Sequence, residues 1–375
     1  MTKKPCSLAM IGGSHTSAAG RAHFTACRMD HLWSVDAGCF SRNPETNRAA
    51  GDYYGISQDR LYPSLDALLE SEKDRLDAVA ILTPTPDHKD MVISSLRAGV
   101  PVICEKALSM DTAEAVEIAK VNDELKGFLA VIYNYSGYPM VRELRRMIRD
   151  GELGDLLHFQ AEMPQEGYLR VDKQGNKMIP QEWRQKDGEI PTLHLDLAVH
   201  LHHLVYYLTE QRPTEVVSDH ASRGDLGVVD NALALCRYTG GIQGQYWFSK
   251  CSLGHRNGLR IRLYGTKGSA EWYQANPEEV VISKATGERI IQDRAVNAPV
   301  AAEDRYSRFK VGHPAGFIEA LSNLYADIHT ALTQYKETGV YESDHVFGTE
   351  HSIDGLQWLD AMIRSFDTGK WEPVS

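Results

Sequence analysis

An α/β fold in two parts is what this sequence predicts: a parallel sheet alternating with helices first, then an α+β domain with a large, mostly antiparallel open sheet. Three observations carry this. Apolar, β-branched runs alternate with helical segments up to about residue 132, the pattern of βαβ units. Beyond a turn at 151–154 the pattern shifts to longer β-rich segments at 158–163, 232–237, 244–248, 258–264 and 269–273. The chain has 375 residues, enough for two domains with cores of their own. The boundary is placed at 132/133.

Composition excludes several classes. A net charge of −11 argues against nucleic-acid or anionic-membrane binding. No apolar run is long enough to span a bilayer. Residues 1–5 carry charge, but the apolar run after them is short and breaks at Gly12-Gly13, so it reads as a first strand and not a signal peptide. Six cysteines lie far apart with no C-x-x-C pair, which fits reduced thiols in a cytoplasmic protein.

The elements follow in order. The strand 7–11 runs into Gly12-Gly13-Ser14-His15-Thr16-Ser17-Ala18-Ala19-Gly20, with a helix expected from about Arg21. Strand, glycine turn and helix make the layout of a dinucleotide phosphate site: glycines admit the pyrophosphate, and the helix N-terminus supplies N–H donors. Ser14 and Ser17 add hydroxyl donors, with His15 between them. The interval from Gly12 to Gly20 exceeds the G-x-G-x-x-G spacing, so a plain glycine turn stays open. A second strand, 33–40, ends at Ser41-Arg42, where NAD enzymes place an acid; this permits NADP through Arg42, and also NAD. A third, 76–82, leads into Thr83-Pro84-Thr85-Pro86-Asp87-His88 and a helix through about Ala98. The next, 100–104, ends in Glu105-Lys106-Ala107, where an α/β sheet binds ligands. That stretch alone also reads as a surface ion pair at a strand end.

In the second half, a helix carries Arg142, Arg145, Arg146 and Arg149, which reads as a solvated basic face. Residues 172–187 are polar and read as a loop. In 192–204, helical spacing puts Asp196, His200 and His203 on one face. Such a D-x-x-x-H also reads as a metal pair or as a core histidine with a carboxylate partner, but no cysteine or H-E-x-x-H context supports a metal. Val311-Gly312-His313-Pro314 opens a long helix through about Thr333, with Pro314 in its first turn. An amphipathic helix spans 354–366.

The glycine turn, the T-P-x-x-x-H loop of Thr83, Pro84 and His88, the Glu105-Lys106 strand end and the D-x-x-x-H of Asp196 and His200 together resemble the Gfo/Idh/MocA oxidoreductase family over nearly the whole chain. The chain departs from it in having Ala107 where the family motif E-K-P has proline, and Pro191-Thr192 and Ala198 where glycines are common. The lengthened first loop and residues 131–141 are similar to a subgroup that includes glycoside- and anhydrosugar-oxidising dehydrogenases. The resemblance implies a Rossmann NAD(P)-binding domain at 1–132 and a substrate-binding and oligomerisation domain at 133–375. It implies oxidation of a secondary hydroxyl of a sugar, glycoside or cyclitol, C3 of a pyranoside favoured, by hydride transfer to nicotinamide. The alternative is a glycosidase or lyase that oxidises C3 transiently. The cofactor is NAD by subgroup, with NADP possible, and no metal is implied. His200 would take the hydroxyl proton and Lys106 stabilise the oxygen, or Lys106 would itself be the base with its pKa depressed by the cationic nicotinamide, and Asp196 would orient His200 or bind a neighbouring hydroxyl. Pro84, His88 and Glu105 would flank the cofactor ribose. Thr83, Asn134 and a W-R element at Trp183-Arg184 complete the cofactor set. Tyr135, Gln165, His203 and His313 would hold the polyol. Relatives associate through the open sheet face, so a dimer or tetramer is expected.

Overall fold

The computed structural model describes residues 4–295 and 298–375. Met1, Thr2 and Lys3, at the head of the charged N-terminal run, lie outside them, as do Val296 and Asn297. The chain forms two compact units: Met1–Gly137 with Phe317–Ile353, and Tyr138–Gly316 with Asp354–Ser375. A single boundary at 132/133 therefore falls near the first crossing, but the chain later returns to unit 1.

Unit 1 is built from β1 (Cys6–Gly12), α1 (Ala18–Arg28), β2 (Trp33–Cys39), α2 (Pro44–Tyr54), α3 (Leu65–Glu72), β3 (Ala78–Leu82), α4 (His88–Arg97), β4 (Val102–Glu105), α5 (Thr112–Leu125) and β5 (Leu129–Ile132). The strands pair in parallel in the order β2-β1-β3-β4-β5. Side chains alternate across this sheet, so Leu8 and Met10 join one buried cluster with α1 and α2, while Ala9 and Ile11 join another with α3, α4 and α5. Both faces are covered, which is why the strands read as continuous apolar runs. Ser17 caps α1, its Oγ accepting the Gly20 N–H at 3.2 Å. The helix thus starts at Ala18, three residues before the expected Arg21. After β2 the chain crosses β1 to place β3 on its other side, so strand order reverses at β1, where such sheets bind ligands.

Unit 2 begins with α6 (Pro139–Arg149) and β6 (Leu156–Pro164). A π-helical turn (His194–Ala198) leads into α7 (Val199–Thr209). Then follow β7 (Pro213–Ala221), β8 (Asn231–Tyr238), β9 (Gln243–Ser249), β10 (Arg260–Gly265), β11 (Gly268–Tyr273), β12 (Asn276–Lys284) and β13 (Arg289–Gln292). Together with the terminal β14 (Glu372–Pro373) they form one sheet, ordered β13-β12-β11-β10-β6-β9-β8-β7-β14. Its pairings are antiparallel except β6 with β9. Strand β8 buries Ala232, Ala234 and Cys236 and exposes Leu233 and Leu235, the alternation of a sheet covered on one face. The sequence does not announce β7, β12, β13 or β14; β13 is mostly exposed, and β7 and β12 are rich in polar residues.

Helix α6 is not the solvated basic face that was expected. Arg142 is 2% and Arg145 7% exposed. Arg142 donates to the Tyr306 hydroxyl at 2.7 Å, and Arg145 lies 4.3 Å over the Tyr207 ring. The fully buried Glu143 accepts the Val300 and Ala301 N–H groups at 2.8 and 3.1 Å. Each buried charge has a partner supplied by a distant segment, which offsets its desolvation.

Helix α8 (Phe317–Thr338) belongs to unit 1, and Leu321, Leu324, Tyr325, Ile328 and Leu332 join the cluster of Leu8 and Met10. Pro314 lies ahead of this helix instead of in its first turn. Helix α9 (Thr349–Thr368) completes the set. No helix among the described residues is long and apolar enough to cross a membrane.

Candidate functional site

In unit 1 the glycine turn is built for close approach. Gly12 and Gly13 have φ of +76° and +67°, a region that favours glycine. A Cβ on Gly20 would lie 2.0 Å from the Gly13 carbonyl oxygen, so α1 can start against the turn only with glycine there. The Tyr54 hydroxyl donates to that same carbonyl at 3.0 Å and fixes the lengthened loop. Ser14 Oγ pairs with Thr16 Oγ1 at 3.0 Å, while Ser17 gives its oxygen to the helix and keeps its O–H for donation. His15 Nδ1 and Asn134 Nδ2 are buried with no hydrogen-bond partner among the described residues. Unspent buried polar atoms, a positive helix end and a loop that admits no side chain fit a bound dinucleotide.

The neighbouring strand ends carry the remaining unit 1 candidates. Ser41 Oγ accepts the Asn43 N–H at 3.1 Å, and Arg42 donates to Asp87 at 2.7 Å. Thr83 Oγ1 reaches Met91 Sδ at 3.6 Å. His88 is fully buried, with Nδ1 2.7 Å from the Ala107 carbonyl and Nε2 2.9 Å from that of Thr83. Burial depresses its pKa, and its ring nitrogens tie the Thr83 loop to the residue after Lys106. It therefore braces from within the loop that carries Pro84. Pro84 sits at the start of the short Thr85–Asp87 turn. Lys106 is half-buried, its N–H donates to Glu105 Oε2 at 3.2 Å, and its bond to Ala107 is cis.

Glu105 has a partner that the sequence did not announce. His23 Nε2 lies 2.8 Å from its Oε1, and His23 Nδ1 lies 2.8 Å from the Tyr325 hydroxyl. Burial would raise the Glu105 carboxyl, but the His23 hydrogen bond and the charges of His23, Lys106 and His88 hold it below its ordinary range. One imidazole thus links the Glu105 carboxylate to the Tyr325 hydroxyl.

In unit 2 the π-helical turn places Asp196, which is 8% exposed. Arg184 grips it twice, Nε to Oδ2 at 3.0 Å and Nη2 to Oδ1 at 3.1 Å. The ammonium of Lys250, at the end of β9, bonds Oδ2 as well and lies 5.4 Å over the Tyr168 ring. Burial and Asp196 push the Tyr168 hydroxyl up to about 12. Arg184, assigned above to the cofactor, is thus a ligand of the carboxylate, with Trp183 stacked 4.2 Å from its guanidinium. Lys250 went unnoticed because one lysine after a strand has no motif around it. His200 is buried on α7. His203, 1% exposed, stacks on Tyr207, and burial with the charges of His202, His200 and Arg145 keeps its imidazole neutral, well below the usual pKa. Gln165 Nε2 donates to Asn257 at 2.9 Å. His313 is exposed, and Arg294 takes its carbonyl at 3.1 Å. Tyr135, in unit 1, is buried just past β5.

Comparison with known proteins settles the family. Residues 6–133 match the model of an oxidoreductase family with an NAD-binding Rossmann fold, and residues 141–271 match that of the GFO/IDH/MocA C-terminal domain. The chain belongs to the Gfo/Idh/MocA family. It is an oxidoreductase with NAD as its cofactor. An uncharacterized oxidoreductase, YfiI, of Bacillus subtilis (strain 168) is 28% identical over 98% of this chain and 96% of its own length. The inositol 2-dehydrogenase of Rhizobium meliloti (strain 1021) is 27% identical over 60% of this chain and 64% of its own. The crystal structure of an inositol dehydrogenase homolog from Azotobacter vinelandii, complexed with NADH and myo-inositol, has a TM-score of 0.89 and 26% identity, covering 99% of this chain and 98% of that one.

Proposed function

We propose that this oxidoreductase converts a secondary hydroxyl of a sugar, glycoside or cyclitol to the ketone, with NAD as acceptor. The observation behind this reading is the full-length likeness to a family member complexed with NADH and myo-inositol. NAD, when bound, supplies the ring carbon that takes up the hydride. His200 takes the hydroxyl proton, since an imidazole titrates nearest working pH. Lys106 donates a hydrogen bond to that oxygen as negative charge grows on it. Asp196, gripped by Arg184 and Lys250, orients His200 or binds a neighbouring hydroxyl. Tyr135, Gln165, His203 and His313 hold the remaining hydroxyls, and the C3 position of a pyranoside is the favoured target.

Association into a dimer or tetramer through the open face of the large sheet belongs to the same reading. Leu233 and Leu235 stand 44% and 50% exposed on β8, and light scattering on the protein and on a Leu235→Lys variant tests it.

The functional test follows nicotinamide absorbance with NAD across inositols, monosaccharides, glycosides and anhydrosugars. Net NADH formation with one class is expected. Release of an aglycone with no net reduction would replace the dehydrogenase by transient C3 oxidation, and no turnover of any polyol would overturn the substrate class.

A further inference from the structure

We propose that Asp87 makes the dinucleotide site selective for NAD by occupying Arg42. In this kind of sheet the residues just past the second strand meet the adenosine ribose: an acid there takes the 2′-hydroxyl, whereas an arginine accommodates a 2′-phosphate. Here β2 ends at Cys39, and Phe40-Ser41-Arg42-Asn43 follows without an acid. Two of these side chains are spent locally. Ser41 Oγ accepts the Asn43 N–H, and Asn43 Oδ1 accepts the N–H groups of Glu45 and Thr46 at 3.0 and 2.9 Å to cap α2. Arg42 is the one that reaches outward, its side chain 79% exposed, and its Nη2 donates to Asp87 Oδ2 at 2.7 Å.

Asp87 is placed to do something else. It closes the short Thr85–Asp87 turn just ahead of α4, and its side chain makes no capping bond to that helix. Its carboxylate goes to Arg42 instead. Because β1 lies between β2 and β3, the pair reaches across the carboxyl end of β1, the strand that leads into the glycine turn. A 2′-phosphate arriving there meets a cation already paired and a carboxylate beside it, whereas ribose hydroxyls can bond to both partners. The acid missing after β2 is thereby supplied from after β3.

Equilibrium titration of the whole protein with NADH and with NADPH, followed by reduced-nicotinamide fluorescence, tests this without turnover and without any sugar. The unaltered protein binds NADH more tightly. Asp87→Asn frees Arg42 and strengthens NADPH binding roughly two- to fivefold, the scale of one exposed ion pair, while NADH binding weakens by about two- to fivefold as the ribose hydroxyls lose their carboxylate. Adding Arg42→Gln abolishes the gain. The proposal is overturned if the unaltered protein binds both nucleotides equally, or if Asp87→Asn leaves their ratio unchanged. It also fails if both nucleotides weaken together, as for a clasp over either one, or if the gain survives the loss of Arg42.

Discussion

Glu105 in unit 1 and Asp196 in unit 2 are both largely buried carboxylates in family motifs, and they are held in opposite ways. Glu105 is supported by one imidazole, itself backed by a tyrosine hydroxyl. Asp196 is supported by two full cations, Arg184 and Lys250. A carboxylate paired with cations is a fixed charge, while one paired with an imidazole sits in a network whose protons can shift. Unit 1 thus places Lys106 next to a carboxylate held by an imidazole, and unit 2 places its proposed base, His200, four residues from a carboxylate held by two cations.

The comparison breaks first at the reacting groups. His200→Asn should lower kcat by about 10²- to 10⁴-fold, and Lys106→Met by about 10²- to 10³-fold, with NADH affinity kept in His200→Asn. Steady-state kinetics beside nucleotide titration check this; a His200 variant with full activity would move the base elsewhere. Next comes the cation pair. Lys250→Met takes one of the two cations from the buried Asp196 and should cost about 2–3 kcal/mol in urea unfolding, while Lys250→Arg restores most of it.

A pH scan sharpens the contrast. Burial holds His220 down at about 4, and lowers His194, which sits 3.2 Å from it, well below the ordinary range. A histidine whose folded pKa is depressed binds its proton more readily when unfolded, so stability is full above about pH 6.5 and is lost as pH falls toward 4. His220 alone should remove roughly 3 kcal/mol over that window. His203 adds to the loss in unit 2, and His88 contributes in unit 1. Hydrogen exchange at pH 7 and pH 5 should show unit 2 losing protection first. The smallest effect is expected at His23→Leu, which strands Glu105 and Tyr325 for about 1–3 kcal/mol.

Much of this was legible in the sequence. The run 7–11 followed by Gly12-Gly13 specified a strand and a glycine turn, and the turn takes the left-handed backbone that few other residues tolerate. The β-rich runs of the second half, 232–237 among them, declared a large sheet. What could not be read were partners remote along the chain: His23 lies 82 residues before Glu105, and Lys250 lies 54 after Asp196. The arginines of α6 misled for a related reason. A charge run looks solvated until Tyr306 and Tyr207, far along the chain, turn out to cover it. The π-helical turn left no mark either, since an added residue per turn does not change the letters.

The return of α8 to the first unit bears on how the molecule is made. Tyr325 and Leu321 complete a core whose other members, Leu8 and Met10, leave the ribosome about 300 residues earlier, on the order of 15 to 60 seconds at ordinary synthesis rates. Until then the nascent sheet has one face unclosed, with Phe128 and Trp33 among the side chains that later pack there. The nascent chain therefore needs shelter through that interval, and an mRNA truncated before codon 317 should yield a polypeptide that chaperones retain.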